Sequence, residues 1–87
     1  MKIQDVLEIL EENGISGNDF CLITYDNYES EDTFRHAAFM VGAVNPTANC
    51  TIEASPKFIK IICGEVSFKI TRCKDPRKLY SELRAAS

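Results

Sequence analysis

The sequence predicts a single α+β domain over residues 1–87: two layers, a mainly antiparallel sheet with flanking helices, in the order α-β-α-β-β-β-α. Three observations predict it. Residues 57–72, KFIKIICGEVSFKITR, alternate apolar and polar side chains on both sides of Gly64-Glu65, the pattern of a two-residue β-hairpin. The segments MKIQDVLEILEENG and DPRKLYSELRA repeat apolar residues at helical spacing. Eighty-seven residues, 45% hydrophobic and 26% charged, make one ordinary globular domain.

The first helix spans Ile3 to Asn13. Ile3, Val6, Leu7 and Leu10 follow the i, i+3, i+4, i+7 spacing of one buried face, and Glu8, Glu11 and Glu12 point to solvent. Gly14 is placed to end the helix in the left-handed conformation, with Ile15 folding back on the last turn. Phe20 to Tyr25, FCLITY, is apolar on both faces and reads as an interior strand covered on both sides. The polar stretch Asp26 to Asp32, DNYESED, then reads as an acidic surface loop.

Thr33 to Val44 reads two ways. As a helix capped by Ser30, it groups Phe34, Ala37, Ala38, Val41 and Val44 on one side. As a strand, it pairs back onto FCLITY. The alanines favour a helix, whereas Phe39, off the apolar stripe, favours a strand. Cys50 to Ala54 reads as a short strand leading through Ser55-Pro56 into the central hairpin. There a two-residue turn of type II′ sets Cys63 across from Val66, Ile61 from Phe68 and Ile59 from Ile70, six core residues on one face. The other face carries Lys60 directly across from Lys69, beside Phe58 and Ile62. Asp75 as N-cap and Pro76 at the first helical position announce the last helix, with Leu79, Tyr80 and Leu83 inward.

The net charge of −3 is unevenly spread. Residues 1–55 hold two cations, Lys2 and Arg35, against ten carboxylates, a net of −8; residues 56–87 hold eight cations against three carboxylates, a net of +5. No stretch is long and apolar enough to cross a bilayer, and the acidic N-terminus does not resemble a secretion signal, so the expectation is a cytoplasmic protein. Cys21, Cys50, Cys63 and Cys73 form no C-x-x-C pair, which excludes the usual zinc spacing and leaves no metal expected. Cys21 and Cys63 read as small buried hydrophobes; Cys50 and Cys73 flank the hairpin region, where a disulfide between them would need an oxidising compartment, and reduced thiols are the expectation for all four.

No phosphate loop, dinucleotide fingerprint, zinc-protease motif or nucleophile elbow is present, and His36 is the only histidine. No catalytic residue and no cofactor are expected. The expected function is therefore binding. The leading expectation is a small non-enzymatic regulator that meets a basic protein through Tyr25, Asp26, Tyr28, Glu29, Glu31 and Asp32, aromatic anchors set among carboxylates. Acidic proteins of this size without a catalytic signature are common among phage or mobile-element inhibitors of host enzymes, including anti-defence proteins, so inhibition is one form of this expectation. The alternative is a nucleic-acid-binding module using Phe58, Lys60, Lys69, Lys74, Arg77 and Lys78, with Phe58 as a stacking platform. An isoelectric point near 5.0 weighs against general nucleic-acid binding.

Overall fold

A computed structural model describes residues 1–87. It contains three helices, α1 (Ile3–Glu12), α2 (Phe34–Val44) and α3 (Pro76–Ala86), and five strands. The strands are β1 (Phe20–Tyr25), β2 (Tyr28–Thr33), β3 (Cys50–Ala54), β4 (Ile59–Cys63) and β5 (Val66–Ile70). They form one antiparallel sheet in the order β2-β1-β5-β4-β3. Chain order is α-β-β-α-β-β-β-α, so the α+β class stands and one strand is added.

The added strand is the main correction. DNYESED is not a loop. Asp26 and Asn27 both take positive φ, 51° and 62°, and together they form a two-residue turn of type I′. Their short polar side chains tolerate the left-handed region, which most residues avoid. The turn folds YESEDT back along FCLITY over six residue pairs, from Phe20↔Thr33 to Tyr25↔Tyr28.

The central hairpin has the expected register. Cys63 faces Val66, Ile61 faces Phe68 and Ile59 faces Ile70. Gly64 takes φ 66° while Glu65 stays negative, as a type II′ turn requires. All six predicted core residues of the hairpin are buried. β1 docks on the free side of β5, with Ile23 across from Phe68. The covered face of the sheet thus runs continuously from β1 to β3. Val6 and Leu10 of α1, Phe34, Ala37 and Val41 of α2, and Leu79 and Leu83 of α3 close over that face to form one core. Phe34 meets Phe68 edge to face at 5.9 Å, a geometry that adds to the burial of both rings.

Residues 33–44 are a helix from Phe34 onward. Its cap is Thr33 rather than Ser30: the Thr33 hydroxyl accepts from the His36 N–H at 3.1 Å. Ser30 is held in β2 and so has no role at the helix end. Phe39 is accommodated by pointing outward, 70% exposed. At the end of α1, the Ile15 N–H donates to the Leu10 carbonyl and the Gly14 N–H to the Glu11 carbonyl. These are the two bonds of the anticipated Schellman closure, with Gly14 at φ 79°. Asp75 caps α3 by accepting from the Lys78 N–H at 3.1 Å.

Two further expectations are corrected. β1 is interior to the sheet but covered on one face only: Cys21 and Ile23 are buried, whereas Phe20 is 65% exposed. All three helices pack on the other side, so the face with Phe20, Leu22, Phe58 and Ile62 meets solvent. The cysteines are not all reduced thiols, and Cys63 is more than a packing residue. Cys50 lies directly across from Cys63 in the β3–β4 ladder, and the two form a disulfide; Cys21 and Cys73 are free. Sequence separation gave no hint of this pairing, because the register of β3 against β4 decides it. No helix is long and apolar enough to cross a membrane.

Candidate functional site

The β1–β2 hairpin brings the expected acidic residues together, but strand geometry sorts them onto two faces. Side chains alternate along β2. Glu29 and Glu31 therefore lie on the open face, across from Thr24 and Leu22. Tyr28, Ser30 and Asp32 lie on the helix side, across from Tyr25, Ile23 and Cys21. Tyr25 is half-buried and packs against the core, while Tyr28 beside it is 75% exposed. Asp26 is exposed at the turn itself.

β2 is also an edge strand, since only β1 pairs with it. In a two-residue hairpin the residues flanking the turn exchange both hydrogen bonds, and alternate residues face outward. Tyr28, Ser30 and Asp32 therefore bond to β1, and the main-chain groups of Glu29 and Glu31 point away from the sheet. Thr33 confirms the parity, because its N–H bonds to the Asp32 carboxylate at 2.7 Å rather than to β1. The edge thus offers N–H and C=O groups at Glu29 and Glu31, framed by their two carboxylates.

Asp32 belongs to a different task. Its second oxygen pairs with His36 Nδ1 on the first turn of α2. The Thr33 N–H bond, then the His36 bond, holds the Asp32 carboxyl below the usual aspartate range. Asp32 joins β2 to α2 and is not free to meet a partner; of the other two, Glu31 has no ion-pair partner and Glu29, half-exposed, has only Lys69 at 3.8 Å.

The alternative basic set is divided. Phe58, Lys60 and Lys69 share the open face, and Lys69 Nζ lies 4.9 Å from the centre of the Phe58 ring. Lys69 also reaches Glu29 at 3.8 Å, and Lys60 sits directly across from Glu53. Both lysines therefore have acidic neighbours within the fold. Lys74 borders a cleft of about 580 Å³ with Phe20, Leu22 and Glu31. Arg77 and Lys78 belong to α3 on the other side of the sheet, and Lys78 reaches Glu82 at 3.9 Å.

Burial, aided by Asp32 and Glu31, pushes the Cys21 thiol up to about 12, far from a reactive thiolate. The imidazole of His36 is engaged by Asp32 and makes no hydrogen bond to Cys21. No group of three or more His, Cys, Asp or Glu side chains is arranged to hold a metal ion.

Sequence reasoning missed the exposure of Phe20 and the edge character of β2; it did set Phe39 off the apolar stripe of a helix but took that as a sign of a strand. A period-2 count does place Phe20 and Leu22 together, but it does not say that their face is left uncovered. Compared with known proteins, the chain matches no family model, no curated protein and no solved structure.

Proposed function

We propose that this is a non-enzymatic, protein-binding regulator whose contact element is the β2 edge, and that its partner presents a basic extended strand. The observation that carries the reading is the unpaired main chain of Glu29 and Glu31 between their own carboxylates. Strand addition draws its affinity from main-chain hydrogen bonds and its specificity from side chains at alternate positions. Lys or Arg at those positions would meet Glu29 and Glu31, with Tyr28 as an exposed aromatic anchor beside them. Like charges oppose pairing of β2 with β2 of a second copy, so the same carboxylates that guard the edge against self-association select a basic partner.

A chain that covers a basic strand also denies that strand to nucleic acid or any other anion, which is how a regulator of this kind would inhibit. The inhibitor role, phage-type anti-defence included, is the finer form of the proposal. Cytoplasmic residence is part of the same reading. The Cys50–Cys63 bond weighs against it, because disulfides persist mainly in oxidising compartments. Counting free thiols in protein quenched directly from cells decides: four would uphold the cytoplasmic assignment and two would overturn it.

The binding experiment uses a fluorescent strand peptide of alternating Lys and Val, with a Glu–Val peptide as its counterpart. Binding of the Lys peptide alone, lost in Glu29→Lys/Glu31→Lys, upholds the reading. Equal binding of both peptides, or binding that survives the double reversal, overturns it. Single-stranded oligonucleotides in the same assay test the alternative through Phe58, Lys60 and Lys69: binding lost in Lys60→Glu/Lys69→Glu would replace the protein-binding reading.

A further inference from the structure

On the helix side of the molecule, away from β2, a groove of about 620 Å³ runs between α1 and α2. Ile3 and Leu7 of α1 form one wall, and Ala38, Phe39 and Gly42 of α2 form the other. Phe39 is 70% exposed, an unusual position for a large apolar residue, and the exposed His36 one turn earlier stacks against it at 6.3 Å between ring centres. Gly42 leaves a notch in α2: a Cβ placed there would meet nothing within 4 Å. Ala38 and Gly42 stand one turn apart, so a row of small residues lets another backbone come close, as ridge-into-groove helix packing demands.

The charge around this groove is the second, independent observation. Among residues 1–55 the only cationic side chains are Lys2 and Arg35, and both line the groove. None of the ten carboxylates of that half lines it. Lys2 Nζ donates to the Thr47 carbonyl at 2.9 Å, and neither Lys2 nor Arg35 has a carboxylate within ion-pair distance. Glu11 borders the adjoining cleft with Arg35, yet the two do not pair. Both cationic side chains of an otherwise acidic half thus stand at the rim of its apolar groove, Lys2 with the Asp5 carboxylate at its backbone N–H and Arg35 with its guanidinium also against Gly17 in the adjoining cleft.

We infer that the α1–α2 groove is a second docking site and that it takes an acidic amphipathic helix. The incoming apolar stripe packs against Leu7, Ala38 and Phe39 over the Gly42 notch, and its flanking Glu or Asp residues meet Lys2 and Arg35. Such a helix is read through anchors at i, i+3, i+4 and i+7. The groove shares no lining residue with the β2 edge, so this site stands whether or not that edge binds. With both sites, the chain can hold a basic strand and an acidic helix at once.

The probe is a fluorescein-labelled synthetic helix with Leu at i, i+3, i+4 and i+7 and Glu at the flanking positions; a second probe carries Lys in place of Glu. Anisotropy should show the Glu helix binding, at least tenfold tighter than the Lys helix, on the order expected for unlike against like charge. Arg35→Glu should weaken the Glu helix by roughly tenfold or more, whereas Lys57→Glu, an equal charge reversal away from the groove, should leave it unchanged. Gly42→Leu fills the notch and should abolish binding. Because Leu is a better helix former than Gly, that variant should melt no lower than the parent, which separates a blocked groove from a damaged fold. Three results would overturn the site: no binding of the Glu helix up to about 1 mM, equal binding of both probes, or binding unaffected by Gly42→Leu. Sedimentation showing a dimer that Gly42→Leu dissociates would also overturn it, since a second copy would then be the occupant.

Discussion

Asp32 and Thr33 illustrate how single residues set the join between sheet and helix. Asp32 is depressed below the usual aspartate range by the Thr33 N–H and then by His36. A carboxyl with a lowered folded-state value contributes stability above its ordinary range, and that contribution disappears as pH falls through the lower, folded value. A side-chain NMR titration should therefore find Asp32 below the normal aspartate range, and Asp32→Asn should return a shallower acid limb in the stability–pH curve. Thr33→Ala removes the helix cap and should lower stability by about 1 kcal/mol in chemical denaturation. Cys21 is buried and pushed up to about 12, whereas Cys73 is half-buried. In the native protein an alkylating reagent should modify Cys73 well before Cys21, and Cys21 should react only on unfolding. At this scale the sequence was partly legible. The caps at Asp75 and Gly14 could be read because both carry strong local signals, whereas Thr33 lost to Ser30 because either hydroxyl suits the spacing and only the end of β2 decides between them.

The elements differ in how far local pattern specified them. The β4–β5 hairpin could be read residue by residue, since a two-residue turn fixes register and alternation then fixes the faces. Gly64→Ala tests that turn. At φ 66° a side chain is strained, and a Cβ would come within 2.6 Å of Asn45 Nδ2. Calorimetry should show a loss of more than about 1 kcal/mol. β2 was illegible because YESEDT has no apolar alternation; FCLITY provides its ladder, and the Asp26-Asn27 turn is a weaker form of the Asn-Gly signal. The acidic residues retained from sequence thus become two groups, Glu29 and Glu31 on the open edge and Asp32 bound to the helix. Glu29→Lys/Glu31→Lys should abolish capture of a basic strand while leaving the melting temperature nearly unchanged, because both side chains are exposed. Including Asp32 in that reversal would confound binding with stability.

For the whole molecule, one core under one face of a five-stranded sheet leaves the other face and the β2 edge available, whereas at the β3 edge the Cys50 N–H already donates to the Met1 carbonyl. The class was legible from periodicity alone. Which face stays open was not, since that depends on where α1, α2 and α3 return, and neither was the Cys50–Cys63 bond, which depends on long-range register. Closing a loop of this size should contribute about 2–4 kcal/mol, so reduction should lower the denaturation midpoint; an unchanged midpoint would show that the bond contributes nothing. The open β2 edge carries the functional reading, in which a basic strand becomes the sixth strand of the sheet. Amide hydrogen exchange tests this most directly. In the free protein the Glu29 and Glu31 N–H groups should exchange quickly, and the Lys–Val peptide should protect those two while leaving the Tyr28 and Ser30 amides, already facing β1, as they were. Binding without protection at Glu29 and Glu31 would contradict strand addition at this edge.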